Sequence, residues 1–245
     1  MVNMEYLNFN NTTIEYELYK SKKAKRICIT IKNSKVRVAV PMDINIDKAK
    51  SFVEEHKDWI NKNFQKHIGN NHTPKYVTGE KLPYRGRNYP LKIVESNTSP
   101  NFAIFKGSQI WVYIPENLTN TKRSKIISKL LTIWYKGQAE KTLPEMTRYY
   151  SKLMNISFAK IRIKDQQTRW GSCSSKKNIN LNWRLIMAPN QVAAYVIIHE
   201  LAHINYMNHS RDFWFLVSNY FPDYMKWKKW LKGNGNQLLL IAMES

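Results

Sequence analysis

The sequence is short of cysteine, of acidic side chains and of long apolar runs. Cys28 and Cys173 are the only cysteines and lie far apart, which excludes a disulfide framework and a cysteine-based zinc site. The longest apolar stretches, such as 238–243, fall far below the roughly 20 residues that cross a bilayer, so no membrane partner is expected. The opening MVNMEYLNFNNTTIEYE lacks the basic-then-apolar order of a secretory leader. A cytoplasmic location is the resulting expectation. Acidic residues number 18 against 39 basic ones, a formal charge of +21, and a field of that sign favours polyanions, nucleic acid among them. The basic clusters are Lys20 to Arg26, Lys122 to Lys125 and Lys226 to Lys232. A lysine-rich solvated surface is the simpler account of the same residues.

What is present suits a folded protein. Hydrophobic residues make up 43% and aromatics 13% of 245 residues, enough to core one large domain or two small ones. Ile14, Tyr16 and Leu18 alternate with polar residues, as do Ile27 to Ile31 and Val36 to Val40, with Asn33-Ser34 as a turn. Period-two alternation of this kind predicts half-buried antiparallel strands. Asp47 is the expected cap of a following helix, whose apolar stripe includes His56 as a structural residue. The theme repeats after a polar connector near 69–75. Tyr89 to Ile93 and Ile110 to Ile114 alternate around Gly107-Ser108, and a helix is expected from Thr119 to Thr121 onward. Strand, proline, helix and tryptophan thus occur twice, which fits either an old duplication or two similar βα units. Pro144 is expected to break or kink the second helix. Short strands are expected near 160–164, 169–173 and 178–182, then a helix capped by Asn190, then one containing Phe213 to Tyr220. Gly233-Asn234-Gly235 should leave the tail loose. These elements predict an α+β fold: an N-terminal β-rich domain, 1–118, and a mainly helical zincin-like catalytic domain, 119–245, with a short antiparallel sheet.

His199-Glu200-Leu201-Ala202-His203 carries the chemistry. Histidines four apart stand one above the other on a helix face, because a turn takes about 3.6 residues. Both imidazoles can therefore reach one zinc ion, which lowers the pKa of water to roughly 7, and Glu200 can take the proton as general base. His209 is the expected third ligand. On a straight helix it would point elsewhere, so the helix must break between His203 and His209, with Asn205 or Asn208 in the left-handed conformation. Asp212 and Asp223 are rival ligands of lower rank, and Asp212 is otherwise an imidazole-orienting or solvated residue. Metzincin proteases share this histidine spacing but carry glycine where Tyr206 stands. A histidine triad leaves a position open for water, whereas structural zinc sites are usually closed by four ligands. Gly171, inside a strand after Trp170, suggests a close backbone approach or a bulge, and that strand could pair with an extended substrate. Asn182, Trp183 and Arg184 are expected along the cleft. Tyr206, Arg184 and Arg169 are the candidates to stabilise an oxyanion.

Arg169-Trp170-Gly171-Ser172-Cys173, Asn180-Leu181-Asn182, Tyr195-Val196 before the histidines, Asn208-His209-Ser210 and Phe213-Trp214 together resemble the YgjP-like metallopeptidase family. The likeness extends upstream through Lys23-Ala24-Lys25-Arg26, Val38-Ala39-Val40-Pro41, Trp59-Ile60, Gly79-Glu80 and Tyr84-Arg85-Gly86. It implies a zinc-dependent peptidase with a gluzincin-like or SprT-like core. One helix of that core carries two ligands and a later helix the third. By position these are His199, His203 and His209, with Glu200 catalytic. The related SprT-like proteases cleave proteins attached to DNA, so a DNA-associated protease is the alternative, and a non-catalytic zinc-containing nucleic-acid binder a further one.

Overall fold

The computed structural model describes residues 2–9, 12–32, 35–69, 74–98 and 100–240; the side chains of 2, 12, 32, 66–69 and 240 are left aside. The expected Asn33-Ser34 turn and part of the 69–75 connector therefore lie outside the described residues. The chain divides into two compact units, Met1–His72 and Thr73–Ser245.

In the first unit, β1 (Val2–Phe9), β2 (Thr12–Lys20), β3 (Cys28–Lys32) and β4 (Lys35–Val40) form a sheet in the order β1-β2-β4-β3. Ile14, Tyr16, Leu18, Val36, Val38 and Val40 are buried on one face, as their alternation predicts. They pack with Ala49 and Val53 of α1 (Ile46–Glu55) and Ile60 of α2 (Lys57–Gly69). The single expected helix is thus two, and Asn45 rather than Asp47 caps the first: its side chain accepts from the Asp47 amide at 3.1 Å. His56 stands between the helices with Nδ1 2.9 Å from the Phe52 carbonyl, a structural role.

The second unit begins with the same design. β5 (Lys81–Tyr84), β6 (Arg87–Glu95), β7 (Phe102–Lys106) and β8 (Gln109–Ile114) run in the order β5-β6-β8-β7. Both sheets have an antiparallel first pair, a parallel central pair and an antiparallel last pair. The register also coincides: Glu17 pairs with Arg37 and Arg37 with Thr30, while Lys92 pairs with Trp111 and Trp111 with Ile104. The repeated sequence theme therefore corresponds to one topology used twice.

Ile110, Val112 and Ile114 share one hydrophobic core with Ile127, Leu131 and Trp134 of α3 (Asn120–Leu153). This core joins β5–β8 to α3 within the second compact unit, which begins at Thr73. α3 runs through Pro144 without ending. Leu143 and Thr147 on either side are fully buried, and this packing holds the turn whose backbone hydrogen bond proline cannot make.

Beyond α3, β9 (Lys160–Lys164), β10 (Gly171–Cys173) and β11 (Asn178–Asn182) form a small sheet in the order β10-β11-β9. Only the β10–β11 pair is antiparallel; β9 joins parallel. A 3₁₀ turn (Trp183–Met187) leads to α4 (Asn190–Ala202), followed by α5 (Arg211–Tyr220) and α6 (Tyr224–Leu240). Pro189, not Asn190, occupies the cap position of α4. The β5–β6 turn clasps this start: Arg85 and Gly86 amides donate to the Ile186 and Met187 carbonyls at 2.9 and 3.0 Å. A Cβ on Gly86, whose φ is +78°, would lie 2.7 Å from the Pro189 Cα, so only glycine fits there. α6 continues through Gly233-Asn234-Gly235, contrary to the expected loose tail. Gly235 packs on Trp170 and Leu238 is buried, and this tertiary contact outweighs the low helix propensity of glycine. Among the described residues no helix is long and apolar enough to cross a membrane.

Candidate metal centre

α4 is apolar almost all round. Val192 to Ile198 are buried, and so are Leu201 and Ala202, so its polar residues His199 and Glu200 are carried into the interior. His199 Nδ1 is enclosed without a hydrogen-bond partner, while Nε2 lies 3.0 Å from His209 Nε2. The ligand atoms of His199, His203 and His209 all lie within 4.8 Å of one another. A tetrahedral zinc–imidazole site needs nitrogens about 3.3 Å apart, given bonds of about 2.05 Å. Small side-chain movements reach that spacing, and the donor set of three neutral imidazoles fits zinc. Asp212 and Asp223 do not join the cluster; Asp212 is exposed in the first turn of α5.

The helix does break after His203, as the spacing requires. It does so without a left-handed residue: neither Asn205 nor Asn208 has positive φ. Ile204, Asn205 and Tyr206 amides instead return to the Leu201 and Ala202 carbonyls at 3.0, 3.1 and 3.0 Å, satisfying the helix end locally. The same turn brings the Tyr206 carbonyl 3.0 Å from His203 Nδ1. A carbonyl only accepts, so Nδ1 carries the proton and Nε2 keeps its lone pair for a metal. His209 lies in the connecting segment rather than on the later helix. Ser210 follows it and caps α5, accepting from the Phe213 amide at 3.3 Å.

Phe213 is fully buried beneath the cluster, its ring centroid 4.9, 4.6 and 4.8 Å from those of His199, His203 and His209. Trp214 flanks His209 and His199 at 5.5 and 5.7 Å. Burial, then the neighbouring histidines and Lys228, push the His199 pKa down to about 3, and His209 is lowered for the same reasons. Neutral imidazoles are the form that binds metal.

Glu200 is 6% exposed. Burial pushes its carboxyl up to about 7, opposed by the Arg169 charge and a backbone hydrogen bond from Cys173. The carboxylate lies against β10, where an added Cβ on Gly171 would stand 2.7 Å from Oε1. This is the close approach anticipated for Gly171. β10 is the edge strand of its sheet. The Cys173 thiol is pushed up by burial and by Glu200, so it is held protonated and unsuited to nucleophilic work.

Three expected cleft residues are instead interior supports. Asn182, Trp183 and Arg184 are buried. Asn182 Nδ2 donates to the Gln166 and Arg169 carbonyls at 2.7 and 3.1 Å, fixing the loop that presents Arg169. Arg184 is paired with Asp165 at 2.6 Å and stacks on Trp183 at 4.3 Å, which removes it as an oxyanion group. Lys228 of α6, which the sequence placed only in a basic surface cluster, sits 4.0 Å above the Trp214 ring.

The sequence model of the YgjP-like metallopeptidase domain matches residues 25–234. The chain belongs to the YgjP-like metallopeptidase family. The match reaches into both compact units: it takes in β3, β4 and the histidine cluster, while β1 and β2 precede it. Among solved structures, the metallopeptidase zymogen abylysin of Pyrococcus abyssi is similar at 20% identity and a TM-score of 0.35, covering 37% of this chain and 93% of its own. The zymogen jannalysin of Methanocaldococcus jannaschii is similar at 26% identity and 0.33, covering 38% and 97%. No curated protein matches the chain.

Proposed function

We propose that this metallopeptidase is a zinc-dependent endopeptidase in which His199, His203 and His209 hold the ion and Glu200 is the general base. A zinc ion in that place supplies a Lewis acid and brings the pKa of water near neutrality. The residues of the chain do the rest. His203 is kept in the ligating tautomer by the Tyr206 carbonyl. Glu200, with a carboxyl near 7, takes a proton from water and can return it to the leaving amine at neutral pH. β10 is an edge strand; its Cys173 amide is taken by Glu200, and the rest of that edge suits an extended peptide, whose backbone would add a strand there. Arg169 and Lys228 supply positive charge where negative charge develops on a carbonyl oxygen.

The observation that carries the reading is the meeting of three imidazole nitrogens within 4.8 Å beside a buried carboxylate raised to about 7. The test is cleavage of an unfolded protein by wild type and Glu200→Gln, with zinc measured in both. Cleavage by wild type alone, at equal zinc content, supports the assignment. Equal cleavage by both removes Glu200 from the chemistry.

A further inference from the structure

The outer face of the second unit's sheet, opposite α3, is unlike a solvated sheet face. Register places Lys92, Trp111 and Ile104 in one cross-strand row and Val94, Tyr113 and Phe102 in the next. Ile104 is 42% and Phe102 37% exposed. Phe102 and Tyr113 stack at 4.5 Å, Trp111 and Tyr113 at 6.3 Å. Lys106 reaches over Trp111, its Nζ 5.7 Å from the ring centroid.

The twin sheet of the first unit serves as an internal control. Its equivalent positions, matched by register, hold Glu17, Arg37 and Thr30 in the first row and Tyr19, Ala39 and Cys28 in the second, with Arg37 paired to Glu17 at 2.7 Å and lying over the Tyr19 ring. The topology therefore does not require the three rings of the second unit: the same two rows of the twin hold one, Tyr19. Charge is also one-sided. The only acidic residue in β5–β8 is Glu95, and Arg123 of α3 holds it at 3.1 Å. Lys92 and Lys106 are exposed, with no ion pair among the described residues. Within the basic clusters singled out by sequence, Lys20 donates to the Pro41 and Met42 carbonyls at 3.1 and 3.3 Å, and Arg123 is held by Glu95.

We propose that this face binds single-stranded nucleic acid, with bases stacking on Phe102, Trp111 and Tyr113 and phosphates held by Lys92 and Lys106. Phe102 is exposed and Trp111 and Tyr113 half-buried; rings at a sheet surface offer stacking to unpaired bases, whereas bases of a duplex are already stacked. Lysines interleaved with rings match a polyanion that alternates bases and phosphates. Binding at this face does not depend on the zinc assignment.

The test uses the full chain and a labelled oligothymidylate of about 20 nucleotides. Wild type should bind it at low salt, with affinity falling as salt rises. Lys92→Glu/Lys106→Glu should weaken binding at least about tenfold and flatten the salt dependence. Lys22→Glu/Lys25→Glu, the same charge change in the first unit, should have a much smaller effect. Trp111→Leu should weaken binding roughly tenfold while leaving the salt slope unchanged; a melting curve checks its fold, and the lysine pair, being exposed, tests the face independently. No binding at low salt, equal weakening by the two lysine pairs, tighter binding of duplex than of single strand, or stronger binding of anionic vesicles than of the oligonucleotide through this face would each overturn the proposal.

Discussion

Gly171 and Glu200 meet at a distance that no side chain allows: a Cβ on Gly171 would stand 2.7 Å from both Cγ and Oε1 of Glu200. The glycine belongs to an edge strand and the carboxylate to the buried helix, and their contact sets where the carboxylate points. Gly171→Ala should therefore displace the carboxylate while the three histidines stay in place. A misplacement of about 1 Å can cost on the order of 100-fold in rate. We expect a loss of that order in kcat/KM with zinc content unchanged. Full activity of the variant would show that the carboxylate can move without consequence.

The buried carboxyl of Glu200 also makes stability depend on pH once metal is removed by a chelator. It titrates at about 7 in the folded protein, against an ordinary value of 4.5. Between those values the folded chain holds a proton that the unfolded chain has lost. Stability therefore falls as pH rises through this window and stays lower above it. Glu200→Gln removes the cost. The metal-free variant should be more stable than wild type near pH 8, by up to about 3 kcal/mol. The difference should vanish below about pH 4.5. His199, held down to about 3, makes both proteins lose stability as pH falls below the ordinary histidine range, and so cancels in the comparison. Denaturant unfolding across this pH range checks it; equal stability of the two near pH 8 would count against a buried charge.

How much of this was legible in the sequence depended on whether a feature was local. Alternation revealed β2, β4, β6 and β8, whose inward residues are buried except for the half-buried Tyr89 and Ile93 of β6. It missed β7, where Phe102, Ile104 and Phe105 are all more than a third exposed and no apolar–polar period exists. The histidine cluster was legible because four-residue spacing is enforced by helix geometry, and the break before His209 followed from the same geometry. Its mechanism was not, since closure by returning amides leaves no glycine or left-handed asparagine to read. Arg184 looked like a site residue by position, yet it is 2% exposed because Asp165 and Trp183 receive it. Nothing within ten residues of Glu200 marks its contact with Gly171, and nothing local links Lys228 to the histidines.

The glycines of α6 separate propensity from packing. A Cβ on Gly233 would meet nothing within 4 Å, whereas one on Gly235 would lie 3.0 Å from Trp170 Cζ2. Alanine gains about 1 kcal/mol over glycine inside a helix. Gly233→Ala should gain most of that. Gly235→Ala should gain less or lose stability, because Trp170 must shift. Melting temperatures of the two variants give the comparison, and equal gains would mean that α6 does not pack closely on Trp170.

Lys228 offers the sharpest separation of catalysis from metal binding. Its ammonium rests 4.0 Å over Trp214, and its charge helps to lower both His199 and His209. A fixed cation there repels a bound metal slightly and favours the anionic oxygen of a tetrahedral intermediate. Lys228→Met keeps an unbranched apolar stem beside Trp214 but removes the ammonium and its charge. Zinc affinity should be unchanged or slightly higher. The rate should fall in kcat, by about tenfold rather than the larger losses seen when an enclosed donor is removed, because Lys228 is exposed and its field is screened. KM should change little, since the interaction is strongest in the transition state. Raising the ionic strength should narrow the gap between wild type and variant. A variant with unchanged kcat would leave Arg169 as the remaining cation to test, and one that loses zinc would recast Lys228 as a support of the metal site.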